Sequence, residues 1–393
     1  MHTVEIDGIP VGDGHPPRVM GVLNMSVESN YGPSVHAEAE RAARHVEEDL
    51  VPEGADIVDI GLQSANPKND WMPPEVELDR LSNALAVLDE VDADVAFSIE
   101  TRYSEVAEEA IRGGFDLVND VCGFADPKMP AVCADYDVPV VKMASPPDLK
   151  KPGHLRTVDE AFEALERGGF TDKTIIDPAF GGWFDERTFE DNWELFRRLR
   201  EFRAFGRPIL TATNREDFLG HIADRPDTED QLPVSLAAAV MEVERGAHII
   251  RTHDVPETKD VVQVAHFLGD DRVVGGSTGV EEGSAGIDEP PRVVELRNVS
   301  AGEIERNASL RPAIGADPDE VTTRSFQIGR LDGEAHARLV EWADEHDLLL
   351  AKGDDGYFLS GTAATLEGGL DALAGESDAL SAIAGSLRRS LAR

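Results

Sequence analysis

Three side chains close short apolar runs in this sequence: Glu100 in SIETR, Asn119 in LVND and Asp177 in IIDP. A carboxylate in such a position can accept paired N–H bonds from an amino-pyrimidine edge, and an amide beside it can both donate and accept. A second set, Asn24 in VLNM with Arg251 and His253 in IIRTHD, supplies donors suited to a phosphate or diphosphate. Gln63–Asn66, Asp120, Lys142, Asn214–Glu216 and Asp254 stand at comparable points. Each also has a plain structural reading: Asp177 before Pro178 and the Asn119-Asp120 pair as turn caps, Arg251 with Asp254 as an ion pair. Their shared placement at the ends of apolar runs is what favours a binding site for a small, nitrogen-rich, anionic substrate. Covalent catalysis is not indicated, since no Ser/His or Cys/His pairing is present. Cys122 and Cys133 are the only cysteines and form no CxxC, which argues against a thiolate metal site or disulfide framework. The carboxylates are too dispersed for a metal cage.

The apolar runs are β-branched and short: Val19–Met25, Asp56–Gly61, Asp94–Glu100, Asp116–Val121, Val138–Met143, Thr174–Pro178, Pro208–Thr213 and Ala247–His253. Longer amphipathic segments alternate with them, at His36–Leu50, Glu75–Leu88, Ser104–Arg112, Met129–Tyr136, Thr157–Arg167, Arg187–Phe202, Glu229–Arg245 and Glu257–Phe267. This is the pattern of repeated βα units. The phrases EGADIVDI, GGFDLVND and RGAHIIRT each place a glycine before a strand, as a helix C-cap leading into it would. A doubly wound open sheet would carry a Gly-rich first turn, which is missing. The expected fold is therefore α/β, a (β/α)8 TIM barrel, over residues 1–268. In such a barrel, polar residues at the C-terminal ends of strands line the active site.

Residues 269–307 read as a linker rich in Gly, Ser, Pro and Glu, and residues 308–393 as a small α+β domain. Strands are expected there near Thr322–Ile328, Leu348–Ala351 and Tyr357–Ser360. Helices are expected at Gly333–Glu345, at Ala363–Ala374 and on to Arg393. No motif in this part carries chemistry.

The formal charge of −40 opposes binding to nucleic acid or to acidic membranes. Acidic residues are spread along the whole chain, with no acidic block, and lysine is scarce beside arginine. That favours halophilic adaptation, in which salt screens the self-repulsion, over a docking surface for a basic partner. No apolar run is long enough to span a bilayer and no export signal opens the chain, so the expected location is the cytoplasm.

The segments VMGVLNMSVESNYG, GADIVDIGLQSANP, SIETRYSEVAEEAIRGGFDLVNDVCG, IIDPAFG, NREDFLG and LAAAVMEVERGAHIIRTHDV, in this order and spacing, resemble dihydropteroate synthase from Val19 to Leu268. The resemblance implies a pterin-binding barrel that joins p-aminobenzoate to 6-hydroxymethyl-7,8-dihydropterin diphosphate and releases diphosphate with the help of Mg2+. It implies that Asn119 and Asp177 hold the pyrimidine edge, with Glu100 in the family's Asp position. Arg251 would cover the pterin face and reach the diphosphate with Asn24 and His253, and Asn24 would be the metal ligand. Arg215 and Glu216 fall at the family's substrate-binding positions. The resemblance also implies a homodimer, paired through the last helices.

The chain departs from the family at three places. The first loop reads Ser26-Val27-Glu28-Ser29-Asn30 in place of Thr-Pro-Asp-Ser-Phe. The second reads Ser64-Ala65-Asn66-Pro67 in place of Ser-Thr-Arg-Pro, and Asn214-Arg215-Glu216-Asp217 replaces Ser-Arg-Lys-Ser. Glu216 for Lys reverses a charge beside the pterin, a change worth on the order of 2–5 kcal/mol of ligand binding if uncompensated in a dry site. Lys142, Arg102 and Arg215 are the cations expected to compensate. Two other functions fit the same barrel: a non-catalytic pterin-binding paralogue, favoured by the lost cations, and a pterin-dependent methyltransferase domain, disfavoured by the retained RTHD. The charge pattern makes a direct prediction. Circular dichroism should show the chain folded in molar KCl and losing structure on dialysis to low salt; full retention of structure at low salt would refute the halophilic reading.

Overall fold

The computed structural model describes residues 3–26, 34–64, 69, 71–269, 273–275, 293–294, 300–310, 322–329, 331, 333–352 and 356–391. Val27, Glu28, Ser29 and Asn30 of the first variant loop, and Ala65, Asn66 and Pro67 of the second, lie outside the described residues. The chain divides into two compact units, 1–296 and 297–393.

The first unit opens with a hairpin, β1 (Val4–Ile6) and β2 (Ile9–Val11), turned at Asp7 and Gly8 with φ of 43° and 74°. Left-handed backbone at both turn positions is what a two-residue hairpin needs, and Asp-Gly supplies it. Eight parallel strands follow: β3 (Arg18–Asn24), β4 (Ile57–Gly61), β5 (Ala96–Thr101), β6 (Leu117–Asp120), β7 (Val140–Met143), β8 (Thr174–Asp177), β9 (Leu210–Thr211) and β10 (Ile249–Thr252). They pair in the order β8-β7-β6-β5-β4-β3-β10-β9, and a parallel bridge from Ile176 to Ile209 joins the two ends. The sheet thus closes on itself as the expected barrel.

The helices between strands are α1 (Ala39–His45), continued by a π turn at Val46–Leu50, α2 (Pro74–Glu90), α3 (Ser104–Arg112), α4 (Met129–Asp135) and α5 (Val158–Glu166). After them come α6 (Phe189–Arg197), α7 (Asp217–Ile222), α8 (Leu232–Glu244) and α9 (Val255–Leu268). Arg187–Phe202, expected as one helix, ends at Arg197 and gives way to a 3-10 segment, Leu199–Phe205, closed by Gly206 at φ 67°. Among the described residues, no helix is long and apolar enough to cross a membrane.

Two apolar layers lie between strands and helices, and a third fills the barrel. The inner layer takes one residue from each strand: Met20, Ile57, Ala96, Leu117, Val141, Ile175, Leu210 and Ile249. Val4, Ile6 and Val11 of the hairpin pack into the same cluster and plug one end. Side chains two apart on a strand share a face. Residues two beyond the plugged layer therefore also point inward, toward the open end: Asp59, Ser98, Asn119, Asp177 and Arg251. Residues one beyond point outward. That parity removes Lys142 from the mouth and corrects its expected role as a compensating cation. Its ammonium instead donates to the carbonyls of Leu165, Arg167 and Gly169 at 2.7, 2.6 and 2.8 Å, at the C-terminal end of α5. There it meets the negative end of the helix dipole and the rings of Phe124 and Phe170, 4.6 and 5.0 Å away. Burial lowers its pKa to about 8.

The second unit contains α10 (Ala301–Leu310), β13 (Thr323–Gly329), α11 (Gly333–Glu345), β14 (Leu349–Lys352), β15 (Gly356–Thr362), α12 (Ala363–Ala374) and α13 (Asp378–Leu391). Before it, in the first unit, Val273–Gly275 (β11) pairs antiparallel with Val293–Val294 (β12). The three strands form an antiparallel sheet in the order β13-β15-β14 over a core that includes Leu339, Trp342, Leu359, Leu366 and Leu370. The strands and helices expected from 322 onward are all present. α10 begins within the stretch read as linker, where Ser300 starts it as an N-cap, its Oγ accepting from the Glu303 N–H at 3.1 Å.

Candidate active site

At the open end of the barrel Asp59, Ser98, Glu100, Asn119 and Arg251 form one connected group. Asp59, fully buried on β4, accepts from Ser98 Oγ at 2.6 Å, Asn119 Nδ2 at 2.9 Å and Arg251 Nε at 2.8 Å. Arg251 bridges onward, donating through Nη2 to Glu100 Oε2 at 2.7 Å. Four strands (β4, β5, β6 and β10) thus meet on one carboxylate and one guanidinium. No bond from Arg251 Nη1 is made among the described residues, and the side chain keeps 19% of its surface exposed, so this edge of the guanidinium faces the mouth. Burial opposes the charge on Arg251, but Asp59 and Glu100 outweigh it and hold the guanidinium protonated. Burial, with Asp59 adding to it, raises the pKa of Glu100 against the pull of Arg251.

Asp177 ends β8 with Oδ1 accepting from the Ala179 amide at 2.7 Å. That turn orients the carboxylate, and Ala179 itself takes φ 64° to make it. Burial pushes the pKa of Asp177 up to about 6, against the Ala179 N–H and Arg251. Glu100, Asn119 and Asp177, predicted to converge, do so at the same end of the barrel around Arg251.

Asn24 ends β3, its Nδ2 donating to Ser34 Oγ at 2.8 Å, which leaves the Oδ1 carbonyl as an acceptor. His253 donates its backbone N–H to Asn214 Oδ1 at 3.0 Å. Burial and then Arg251 push the pKa of its ring down to about 3, so it is neutral at ordinary pH and can act as an N–H donor but not as a cation. Among the described residues no group of three His, Cys, Asp or Glu side chains stands together as a metal cage.

Arg215 does not face the site as expected. It takes φ 55° and clamps Asp254 with two bonds, Nε to Oδ2 and Nη2 to Oδ1, both 2.8 Å. Its Nη1 donates to the Thr228 and Glu229 carbonyls at 2.7 and 3.2 Å. The paired carboxylate and two carbonyls satisfy its fork, making it a brace between the loop after β9 and the start of α9. Arg102 is likewise directed to the Leu149 carbonyl, with Nη1 at 2.9 Å. Glu216 sits beside the turn after β8: a Cβ at Gly181 would lie 2.8 Å from its Oε1. Burial, with Asp217 adding to it, pushes the Glu216 pKa up to about 7.

One residue of this group was not anticipated. Asp59 was legible as an aspartate two residues beyond an apolar one inside GADIVDIG, since an acid in mid-strand on the inward parity must have partners.

The open end of this eight-stranded barrel thus gathers carboxylates, an amide and a guanidinium on its inner face. The chain matches the family described as "Pterin binding enzyme" over residues 20–253. It is 34% identical to a probable bifunctional folylpolyglutamate synthase/dihydropteroate synthase of Halobacterium salinarum, over 67% of this chain and 33% of that protein. This chain therefore spans about a third of the length of that relative. It is 30% identical to the dihydropteroate synthase of Bacillus subtilis, over 64% of this chain and 87% of that one. A dihydropteroate synthase of Coxiella burnetii, solved with pteroic acid, superposes with a TM-score of 0.57 at 31% identity, covering 68% of this chain and 98% of that one. The chain belongs to the dihydropteroate synthase family.

Asp59 provides a stability test. Asp59→Ala leaves Arg251, Asn119 and Ser98 without their shared acceptor, and losing one partner of a buried pair costs about 3–5 kcal/mol. Denaturant unfolding in molar salt should show a loss in that range; a loss under about 1 kcal/mol would mean the network does not hold the mouth together.

Proposed function

We propose that this chain condenses 6-hydroxymethyl-7,8-dihydropterin diphosphate with p-aminobenzoate or a related arylamine. The amine nitrogen attacks the pterin methylene carbon, the C–O bond to diphosphate breaks, and the nitrogen loses a proton to solvent. The observation that carries this reading is the convergence of Asp177, Asn119 and Glu100 around Arg251 at the open end of the barrel.

Asp177 accepts from the amino-pyrimidine edge, its geometry set in advance by the Ala179 amide. Asn119, whose Nδ2 is committed to Asp59, offers its carbonyl to the ring. Arg251, pinned by Asp59 and Glu100, presents its free edge to the ring face and the leaving diphosphate, alongside the neutral His253. A preorganised cation of this kind favours developing negative charge without reorganising as the bond breaks.

Mg2+ fits the donor set in a limited way, because it is usually held by one or two protein oxygens together with substrate phosphates. Asn24 Oδ1 is such an oxygen, freed by the Nδ2 bond to Ser34. When bound there with the diphosphate, Mg2+ would supply charge neutralisation to the leaving group. We also propose a homodimer, supported by Trp193, Ile222 and Met241, large apolar side chains exposed on α6, α7 and α8.

The test is formation of dihydropteroate from the pterin diphosphate and p-aminobenzoate by the full chain in molar salt. Asp177→Ala should abolish pterin binding while circular dichroism stays native, and normal pterin affinity in that variant would overturn the site. Pterin binding with no turnover across a panel of arylamines would instead make the chain a non-catalytic binder.

The pH dependence follows from Asp177. With a pKa of about 6 in the free protein, its carboxylate is protonated below that pH and must lose the proton to accept the ring N–H groups. Pterin affinity should therefore be flat above neutrality and fall by up to about tenfold per pH unit below 6. Titration calorimetry with 6-hydroxymethylpterin measures this, and an affinity constant down to pH 5 would contradict the assigned role.

A further inference from the structure

Asn214 and Arg215 follow β9 and Asp254 follows β10, so all three belong to the open end of the barrel. Their side chains meet. Asn214 Nδ2 donates to Asp254 Oδ2 at 2.9 Å, and Arg215 clamps the same carboxylate through Nε and Nη2, both at 2.8 Å. The Asn214 carbonyl has a separate target: Oδ1 accepts the backbone N–H of His253 at 3.0 Å. One side-chain amide thus spans His253 and the residue that follows it.

The sheet explains why such a link is needed. The ladder between β9 and β10 stops at Thr211 and Ile250, and that between β10 and β3 at Thr252 and Gly21. His253 lies past both, so neither neighbouring strand fixes its backbone. Its N–H still needs an acceptor. Asn214 supplies one from three residues beyond the end of the β9 ladder.

Asn214 is held from behind in turn. Thr211 Oγ1 donates to the buried Glu242 of α8 at 2.9 Å, and Thr213 Oγ1 donates to the same carboxylate. The Arg215 N–H donates to Ser235 Oγ on that helix at 2.8 Å. Arg215 takes φ 55°, a left-handed conformation that a bulky residue keeps only where its surroundings impose it. Here Ser235 holds the backbone and Asp254 the side chain. Asp254 is equally committed. It stands directly before α9, where an aspartate would ordinarily cap the helix, yet its side chain makes no cap bond there. The carboxylate serves the β9 loop instead. Bracing alone does not account for Asn214, because the two bonds from Arg215 already join this loop to Asp254. The bond peculiar to Asn214 is the one to His253.

We propose that Asn214 is a positioning residue, which sets the turn at His253 and so aims that side chain at the diphosphate while leaving the ring to Asp177, Asn119 and Arg251. This rests on the diphosphate reading above. Asn214 and Arg215 then act on the reaction through the turn after β10, and neither touches the ring.

The test measures, by calorimetry with the full chain in molar salt and Mg2+, binding of 6-hydroxymethyl-7,8-dihydropterin and of its diphosphate, without arylamine. The quantity read is the gain in affinity that the diphosphate brings. In Asn214→Ala that gain should fall by about tenfold, the scale of one hydrogen bond to a charged group. Affinity for the alcohol should stay within about twofold, as expected for a ring site that does not share these bonds. General damage to the fold would weaken both ligands alike. His253→Ala should lose the gain as well, and adding Asn214→Ala to it should cost nothing further, because the amide works through that residue. Asn214→Ser, whose shorter side chain cannot span both partners, carries the same comparison should the alanine variant not fold. An undiminished gain in the Asn214 variant, or losses that multiply in the double variant, overturns the inference and leaves the pterin site standing. Absence of binding of either ligand to the unaltered chain brings down the proposed function itself.

Discussion

The rest of the site depends on one buried carboxylate. Asp59 has no exposed surface and is the common acceptor for a hydroxyl, an amide and a guanidinium arriving from three other strands. A charge in a barrel interior is tolerated only when it is paired and its lone pairs are filled. Each partner of Asp59 therefore loses more by moving than it would gain from a new rotamer. The residues bonded to it inherit that rigidity: Asn119 is left with only its carbonyl to offer, and Arg251 with only one edge. Preorganisation of this kind makes fixed donors effective where charge develops during a reaction.

The inner surface of the barrel is graded along its axis. At one end the hairpin and one apolar residue from every strand exclude water; one pleat higher, the same faces carry Asp59, Ser98, Asn119, Asp177 and Arg251. The apolar layer is the foundation that lets the polar layer be dry on its lower side and open on its upper side. Parity decides which polar residues belong to it. Asp120 and Lys142, one residue beyond inward positions, are as polar as any site residue, yet they serve the outer shell. Asp120 accepts the amides of Cys122 and Phe124, and Lys142 closes the end of α5.

This also explains what was legible in the sequence and what was not. The eight strands could be read because βα units repeat a simple alternation, and the inward residues at their ends followed from that: Glu100, Asn119, Asp177 and Arg251 are all where the strand pattern puts them. Asp59 was passed over because attention to strand ends skips a mid-strand acid, although its parity marked it as inward. The hairpin was passed over although EIDGIP carries the Asp-Gly turn with apolar residues on both sides. Lys142 was misjudged by a single residue of register. Arg215 could not be placed by pattern: it lies in a loop after a strand, and only the fold shows that Asp254 lies within reach of it.

The charge balance of the mouth gives these placements a common logic. Asp59 and Glu100 set two carboxylates on Arg251. Burial raises the pKa of Glu100, Asp177 and Glu216, so the free site holds its protons more readily than exposed carboxyls would. Burial and the neighbouring Arg251 keep His253 neutral, so it adds no positive charge. The Arg251 guanidinium, clamped by carboxylates from two separate strands, is thus a cation that this end of the barrel holds in one place whatever the pH of its neighbours.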